Sequence, residues 1–477
     1  MILTSFDNVC RMACILYKSV ILFMGKEERR MEIETLKRSH LKRNIIIGVV
    51  VVAIISAIIL NFTRARYRTS YSVPLINGTI NYSAADLNIL AITVDGEEVD
   101  TIPTGNYELT EESYCEVNGV RDDSVELSYD MDSQMLTVTP MTTKGTKCYL
   151  YFDVDNSMTI QELIASKNID NSRNGAITGT LTTNTTGTVY SVADDWGTSY
   201  VYAGAPTDNW VQFAGYYWRI IRINGDGSIR LIYNGTSTAT TGTSTQIQTS
   251  AYNSTYNDNA YVGYMYGSIG ASSYSATHAN NTDSTIKGIL DSWYKTNIVD
   301  KGHSDKVSTE AGFCNDRKTQ SGVISGYGTT GYGTNATGYA PAGRLMSNGR
   351  YKSSQAPSLK CSQIGNDMFT VSGSSKGNHK LTYPIGLITS DEVVLAGGFG
   401  GSSNSSYYLH TGQDYWTMSP HCFNGSWANV FNVNSGGNLY GNLVSYSFGV
   451  RPVINLKADV RIEGEGTATQ PYQVVES

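Results

Sequence analysis

A stretch near the C-terminus, residues 421–446, has the side chains of a binding surface. It contains no Asp, Glu, Lys or Arg and is dense in Asn, Ser, Tyr and Gly. Asn, Ser and Gly offer adaptable hydrogen bonding, while Tyr and Trp offer rigid contact area at a low entropic cost, as in antibody binding loops. The pattern therefore predicts a ligand-binding face. The candidate contact residues are Trp427, Asn429, Phe431, Asn432, Asn438, Tyr440, Asn442 and Tyr446.

The same stretch also fits a purely structural role, in which these residues are only the hairpins of a polar β-domain. Its strand phase is ambiguous, because Ala428 and Val430 imply one buried face whereas Phe431 and Val433 imply the other. We therefore expect some of the eight candidates to be buried.

A second possible chemistry is that of a thiol. Cys422 beside His421 could form a nucleophile–base pair. Adjacent residues of a strand point to opposite faces, however, so we expect no direct contact between them. The six His are scattered, no Ser/His/Asp constellation is present, and Asp391 and Glu392 fit the charged start of a helix. The sequence therefore favours a protein that is not an enzyme.

Composition limits the class of protein. The chain has 477 residues, of which 16% are charged, with a net charge of −7 and 33 Tyr against 11 Phe. Typical globular proteins are about 25% charged, so solubility here depends on uncharged polar groups. The negative balance and the lack of a basic tract in the body of the chain argue against nucleic acid as a partner. The abundance of Gly, 47 residues, indicates short strands and turns and makes a helical bundle improbable.

One segment, residues 45–62, breaks the polar pattern. Its eighteen uncharged residues approach the roughly 20 that cross a bilayer core. The absence of an A-x-A-like cleavage site favours an uncleaved anchor over a signal peptide or a buried core helix. Basic residues are more numerous before the segment than after it, which predicts a cytoplasmic N-terminus and an extracellular body. We therefore expect a single-pass cell-membrane protein that contacts the lipid bilayer through one helix.

The first thirty residues have two interpretations. Gly25-Lys26-Glu27-Glu28 can be encoded by codons containing AAGGAGG, a bacterial ribosome-binding sequence, shortly before Met31. Either Met31 is the true start and residues 1–30 are translated leader, or residues 1–30 are a real cytoplasmic tail.

Cysteine positions predict two disulfides in the extracellular part, because an external compartment permits them. Cys115 and Cys148 bracket a β-rich stretch, and Cys314 and Cys361 bracket a Gly- and Tyr-rich insertion. Cys422 is left over. No C-x-x-C or Cys/His spacing indicates zinc, so the metal content stays unassigned.

Composition shifts along the chain predict seven segments. They are a cytoplasmic N-terminus (1–44), a transmembrane helix (45–62), a stalk (63–86), a small β-sandwich (87–155), a helix and linker (156–194), a main domain (195–457) and a C-terminal tail (458–477). Helical spacing predicts one helix over residues 285–294, and Thr389 is the expected N-cap of another. Residues 234–283 are low in complexity and predict loop.

Several motifs occur in a recognisable order within the main domain. They are FAGYYWRIIRINGDGSIRLI, DSWYKTN, FCNDR, IGLITSDEV, YWTMSP and FGVRPVINL. Together they resemble a domain of uncharacterised function that is common on surface proteins of Gram-positive gut bacteria. That family is similar in turn to the formylglycine-generating (sulfatase-modifying) enzymes, whose fold is a variant of the C-type lectin fold. The YCEVNG and KCYLYFD motifs of the preceding sandwich look like a companion module of the same surface proteins.

The resemblance implies a fold and a set of framework residues. The expected fold is an α+β C-type lectin-like domain with a small central antiparallel sheet and long loops, preceded by a small β-sandwich and one transmembrane helix. The implied framework residues are Trp218, Trp416, Gly449, Arg451 and Pro452. The lectin-type likeness makes structural calcium plausible, although Asn/Asp clusters such as 257–259 and 315–316 are also ordinary turn residues.

The resemblance also bears on function. The formylglycine-generating enzymes use a cysteine pair that binds copper, and this chain keeps one candidate, Cys422, without the expected partner. Residues 421–446 resemble the variable region of lectin-fold proteins that retroelements diversify. The sequence therefore predicts a membrane-anchored, adhesin-like surface protein that binds a glycan or a protein. The alternatives are a sulfatase-modifying-like enzyme that uses Cys422 and a structural envelope protein.

Overall fold

The structure is a computed structural model that describes residues 88–131, 133–139 and 145–475. The chain divides into two compact units, Met1–Asp155 and Asn156–Ser477, which are described separately. The segments predicted as the cytoplasmic N-terminus, the transmembrane helix and the stalk lie outside the described residues.

The described part of the first unit consists of short strands. They are β1 (Asn88–Val94), β2 (Glu97–Val99), β3 (Tyr107–Leu109), β4 (Tyr114–Val117), β5 (Val120–Arg121), β6 (Glu126–Asp130), β7 (Met135–Thr139) and β8 (Thr146–Val154). Six of them form one sheet in the order β2-β1-β8-β4-β5, with β3 also on β8, while β6 and β7 form a hairpin. Side chains of β8 alternate between buried and half-buried, as expected for a strand with one face on a core.

The core of this unit contains a disulfide. Cys115 on β4 and Cys148 on β8 are directly opposite each other, their sulfur atoms are bonded, and both residues are buried. They pack in one cluster with the buried side chains of Leu136, Leu150 and Phe152. A small domain buries little apolar surface, so this crosslink adds to its stability.

The second unit contains the remaining strands. They are β9 (Asn168–Asp170), β10 (Thr188–Ala193), β11 (Thr198–Val201), β12 (Trp210–Phe213), β13 (Tyr216–Ile223), β14 (Ile229–Tyr233), β15 (Gln248–Ser250), β16 (Met265–Tyr266), β17 (Thr282–Asp283), β18 (Phe313–Cys314), β19 (Thr337–Gly338), β20 (Met346–Ser347), β21 (Arg350–Tyr351), β22 (Met368–Phe369), β23 (Tyr415–Phe423), β24 (Ala428–Val433), β25 (Leu439–Leu443), β26 (Phe448–Val450), β27 (Val453–Leu456), β28 (Ile462–Glu463) and β29 (Tyr472–Val474).

Its helices are short. The α-helices are α1 (Ile160–Ala165), α2 (Tyr274–Thr277), α3 (Thr285–Tyr294), α4 (Ala340–Leu345), α5 (Ile364–Asp367) and α6 (Ser390–Leu395). A π-helical turn (Lys295–Val299) extends α3, and 3-10 turns lie at Thr243–Thr245, Asn259–Val262 and Ser304–Lys306. The predicted helix over 285–294 is confirmed, and α6 begins as predicted, because Thr389 and Glu392 form a reciprocal capping box.

Two sheets organise this unit. The larger has nine strands in the order β28-β29-β12-β13-β11-β10-β9, with β14 between β13 and β27. The smaller has six strands in the order β15-β26-β23-β24-β25, with β19 on β23. Every residue of β23 is buried, whereas β25 is an edge strand with its middle residues partly exposed. The second predicted disulfide, between Cys314 and Cys361, is also present.

The predicted fold class is wrong. The described residues form mostly β-sheet, with 34% strand and 13% helix, and they show no lectin-like fold. Two large sheets take the place of the single small central sheet that the resemblance implied. The physical reason is that many short strands pair over long sequence distances, as where β14 pairs with β27, and such pairings leave no local pattern in the sequence.

The prediction of a single-pass membrane anchor is also corrected. Within the described residues, no helix is both long enough and apolar enough to cross a bilayer. The longest α-helix there, Thr285–Tyr294, has ten residues, about half of what a span requires. The segment predicted as the anchor, 45–62, lies outside the described residues, and the described residues give no support to the predicted membrane localisation and bilayer contact.

A buried carboxylate connects the sheets of the second unit. Glu392 lies on α6, which packs against β23 and β24 of the smaller sheet. Its Oε1 atom is 2.6 Å from Nε of Arg230 and 3.0 Å from Nε of Arg222, which belong to β14 and β13 of the larger sheet. Burial alone would raise the pKa of Glu392, but the two guanidinium groups outweigh it and hold the pKa below its usual value.

We predict that Glu392→Gln lowers the free energy of unfolding by about 3–5 kcal/mol, because the change leaves Arg230 buried without its carboxylate. Urea denaturation measures this loss. The control is Asp300→Asn, which breaks an exposed ion pair with Lys295 and should cost less than about 1 kcal/mol. Equal losses in the two variants would contradict the role given to Glu392.

Candidate ligand-binding face

The hairpin of β24 and β25 positions most of the predicted contact residues. The two strands are antiparallel, with Asn432 opposite Tyr440 and Val430 opposite Asn442. Residues directly opposite each other share a face of the sheet, so Asn432, Tyr440 and Asn442 lie on the same side. This side also carries Trp416 of β23, because Trp416 is directly opposite Asn432 of β24.

Three of the predicted contacts are large exposed aromatic residues. Trp427, Tyr440 and Tyr446 have exposed fractions of 51%, 52% and 50%. Trp427 is held by a turn, because the Asn424 side chain accepts hydrogen bonds from the backbone N–H groups of Ser426 and Trp427. The Tyr446 ring packs against that of Phe448, with ring centroids 6.0 Å apart.

A fourth exposed ring belongs to the same region. Tyr256 is 38% exposed, and its carbonyl accepts a hydrogen bond of 2.8 Å from the backbone N–H of Ala428, next to Trp427. Among the described residues, the fifth aromatic side chain of comparable exposure, Trp196, lies beyond β10 of the other sheet. Exposed aromatic surface is therefore concentrated at the smaller sheet. We call Tyr256, Trp427, Tyr440 and Tyr446 the aromatic face.

A chain of polar side chains lies beside Tyr440. The Asn442 amide donates a hydrogen bond of 2.8 Å to Oδ1 of Asn432, and the Asn432 amide donates one of 3.4 Å to Oδ1 of Asp414. Asn432 is fully buried, while Asn442 and Asp414 are half-buried. Burial raises the pKa of Asp414, and a hydrogen bond from the Ser435 backbone opposes this in part. The chain of hydrogen bonds therefore ends in a partly accessible group on each side.

The remaining predicted contacts have structural partners. Phe431 is completely buried and packs edge-on against the His421 ring, with centroids 4.9 Å apart. Asn429 and Asn438 are half-buried. The Asn429 amide donates to the Trp427 carbonyl at 3.0 Å, and the Asn438 side chain accepts from the Gly401 N–H at 3.2 Å. The structure thus brings Tyr440, Asn442 and Asn432 together and turns Phe431 into the core.

The five predicted framework residues are all buried. The indole N–H groups of Trp218 and Trp416 donate to the carbonyls of Phe213 and Ser250 at 3.1 and 2.9 Å. The Arg451 guanidinium donates to the Tyr233 carbonyl at 3.1 Å and to the Asn234 side chain at 3.2 Å, and it lies over the Tyr415 ring. The Pro452 carbonyl accepts from the Tyr233 N–H at 2.8 Å. At Gly449, a side chain would collide with the Gln246 amide.

His421 and Cys422 are in contact, contrary to the sequence-based expectation. The imidazole Nδ1 lies 2.9 Å from the Cys422 sulfur, and Nε2 lies 3.1 Å from the sulfur of Met346. The pairing register of β23 shifts between Pro420 and Cys422, which breaks the alternation that would separate the two side chains. Burial lowers the pKa of His421 to about 4 and raises that of Cys422 to about 12. Both groups are therefore neutral at pH 7, and a neutral thiol is a weak nucleophile.

Potential metal ligands are occupied by structural hydrogen bonds. Within 88–131, 133–139 and 145–475, no group of three or more His, Cys, Asp or Glu side chains is arranged to hold a metal ion. Asp258 accepts from the N–H groups of Ala260 and Gly270 at 2.8 and 2.9 Å. The Asn315 amide donates to the Met418 carbonyl at 2.6 Å. Structural calcium therefore stays a prediction for this chain.

Sequence reasoning missed Asp414 and Tyr256. Asp414 directly precedes the YWTMSP motif, and Tyr256 falls in the low-complexity stretch that predicted loop. The only feature of the sequence that could have indicated Asp414 is its position, as a single carboxylate shortly before the polar, uncharged stretch 421–446. No local pattern connects either residue with β24, because both approach it through the tertiary fold.

Comparisons of the chain with protein-family models, curated proteins and solved structures found no match. The resemblance to Gram-positive surface domains and to the formylglycine-generating enzymes therefore stays a prediction.

We predict that iodoacetamide at pH 8 labels Cys422 only after the protein is unfolded. With a pKa of about 12, about one thiol in ten thousand is ionised at that pH, and the sulfur is buried. Mass spectrometry of the labelled peptide, with and without urea, measures the difference. Rapid labelling of the folded protein would contradict the neutral His421–Cys422 pair and would revive the enzyme alternative.

Proposed function

We propose that the protein binds an extracellular ligand, a glycan or a protein, through the aromatic face. The observation that carries this proposal is the concentration of exposed rings at one sheet: Tyr256, Trp427, Tyr440 and Tyr446 all belong to it or contact it. Exposed rings that are grouped at one sheet are typical of an interaction site, since burying them would otherwise be favourable.

The chemistry of the surface supports this proposal. Trp and Tyr are over-represented among the residues that contribute most to binding energy, because each combines a large rigid apolar area with a polar group. Residues 421–446 add amides and hydroxyls but no Asp, Glu, Lys or Arg. The ligand is therefore held by ring contacts and neutral hydrogen bonds rather than by ion pairs.

The rigidity of the surroundings also supports it. Asn424 fixes the turn that presents Trp427, and β24 pairs with the fully buried strand β23. A contact surface that is already ordered loses little conformational entropy on binding. The two disulfides are consistent with an extracellular protein, where such a ligand would be met.

We predict that Trp427→Ala and Tyr440→Ala each weaken binding about tenfold or more, because each removes a large exposed ring from the contact. The full-length protein is applied to arrays of glycans and of cell-surface proteins, and affinity for the retained ligand is measured by surface plasmon resonance.

The matched control is Trp196→Ala, which removes an exposed Trp that does not belong to the aromatic face. Its affinity should equal that of the unmodified protein. Absence of any ligand on both arrays, or equal losses in all three variants, would refute binding through the aromatic face.

A further inference from the structure

A half-buried carboxylate beside the aromatic face has neutral partners only. Asp414 accepts hydrogen bonds from the Asn432 amide and from the Ser435 backbone. Within the described residues, no Lys, Arg or His forms an ion pair with it, in contrast to the buried carboxylates Asp194, Asp391 and Glu392, which all pair with Arg. A carboxylate has about four acceptor positions, so Asp414 keeps acceptor capacity that its neighbours do not use.

The direction of the hydrogen bonds determines what each end can do. Asn432 accepts from Asn442 and donates to Asp414, so this buried amide is fixed in one orientation. At one end, half-buried Asn442 retains an N–H donor and a carbonyl acceptor. At the other end, Asp414 presents acceptors alone. The pair can therefore donate to one group of a ligand and accept from another.

An aromatic ring flanks this pair. Tyr440 is opposite Asn432 on the same side of the sheet, and its ring is exposed. The combination of an apolar ring face, a strong hydrogen-bond acceptor and an amide matches a sugar ring, which has C–H groups on its face and hydroxyl groups on its edge. A hydroxyl group both donates and accepts, so one hydroxyl can donate to Asp414 while its neighbour accepts from Asn442.

We infer that Asp414 and Asn442 form a subsite that binds the hydroxyl groups of a neutral carbohydrate, with Tyr440 against the face of the sugar ring. This inference rests on the proposed function and specifies the ligand of the same surface. Residues 421–446 contain no Lys or Arg that would pair with an acidic sugar, and the Asp414 carboxylate would repel one, which favours a neutral sugar over an acidic one.

The length of the face indicates an oligosaccharide rather than a single sugar. Trp427 adjoins the start of β24, and Tyr440 lies opposite Asn432 towards its other end. The strand rises roughly 13 Å between Ala428 and Asn432, at about 3.3 Å per residue. Rings separated in this way can contact different sugar units of one extended chain.

The test applies the full-length protein to immobilised neutral polysaccharides (a mannan, a galactan and a β-glucan) and to an immobilised Lys-rich peptide. We expect retention on at least one polysaccharide, with little change between low and high salt because no ion pair is involved. Asp414→Asn and Asn442→Ala should each weaken that retention about tenfold, since a hydrogen bond to a charged or buried group is lost. The control is Asp459→Asn, an exposed carboxylate elsewhere in the unit, which should leave retention unchanged.

The outcomes separate this inference from the proposed function. If retention on a polysaccharide falls in Trp427→Ala but not in Asp414→Asn or Asn442→Ala, the subsite is wrong and the aromatic face stands. If only the Lys-rich peptide is retained, and salt abolishes the retention, Asp414 binds a cation and the carbohydrate class is wrong. If the polysaccharide retains Trp427→Ala as strongly as it retains the unmodified protein, the proposed function is wrong too. Circular dichroism of each variant checks that it is folded.

Discussion

The arrangement of the second unit depends on two adjacent carboxylates at the start of α6. Glu392 binds Arg222 and Arg230 of the larger sheet, and Asp391 binds Arg344 of α4 through two hydrogen bonds of 2.7 and 2.9 Å. Neighbouring residues of a helix point in different directions, so one turn of α6 reaches two parts of the fold. Buried ion pairs of this kind are costly to break singly, because the remaining partner is left charged and unpaired. They therefore fix the position of α6, which packs against β23 and β24, relative to the larger sheet and to α4.

The candidate binding face is a consequence of that arrangement. Strand β24 pairs on one side with the completely buried strand β23 and on the other side with β25, which is the edge strand of the sheet. The side chains of Val430, Phe431 and Val433 pack in the core. The amides and aromatic rings near the edge strand β25 remain at the surface. The aromatic face thus consists of exposed Trp and Tyr side chains on a rigid sheet, and the half-buried side chains of Asp414 and Asn442 lie beside Tyr440.

The features that sequence reasoning predicted are those with a local cause. Helix α3 follows from apolar residues at helical spacing, the cap at Thr389 from its distance to Glu392, and the two disulfides from the segments they bracket. The fold class was wrong because it depends on which short strands pair across long sequence distances. The contact of His421 with Cys422 depends on a register shift in β23, and the environment of Asp414 depends on a partner eighteen residues away. Neither has a signature in a single sequence.

If the protein binds as proposed, the bound ligand covers the aromatic face. Hydroxyl-radical footprinting with mass spectrometry measures this directly, because radicals oxidise exposed Trp and Tyr side chains and a bound ligand protects them. In the free protein, we expect oxidation at Trp427, Tyr440 and Trp196, which are all exposed. With a polysaccharide that the protein retains, oxidation should fall at Trp427 and Tyr440 and stay unchanged at Trp196. Unchanged oxidation at Trp427 and Tyr440 in the bound protein would contradict the account.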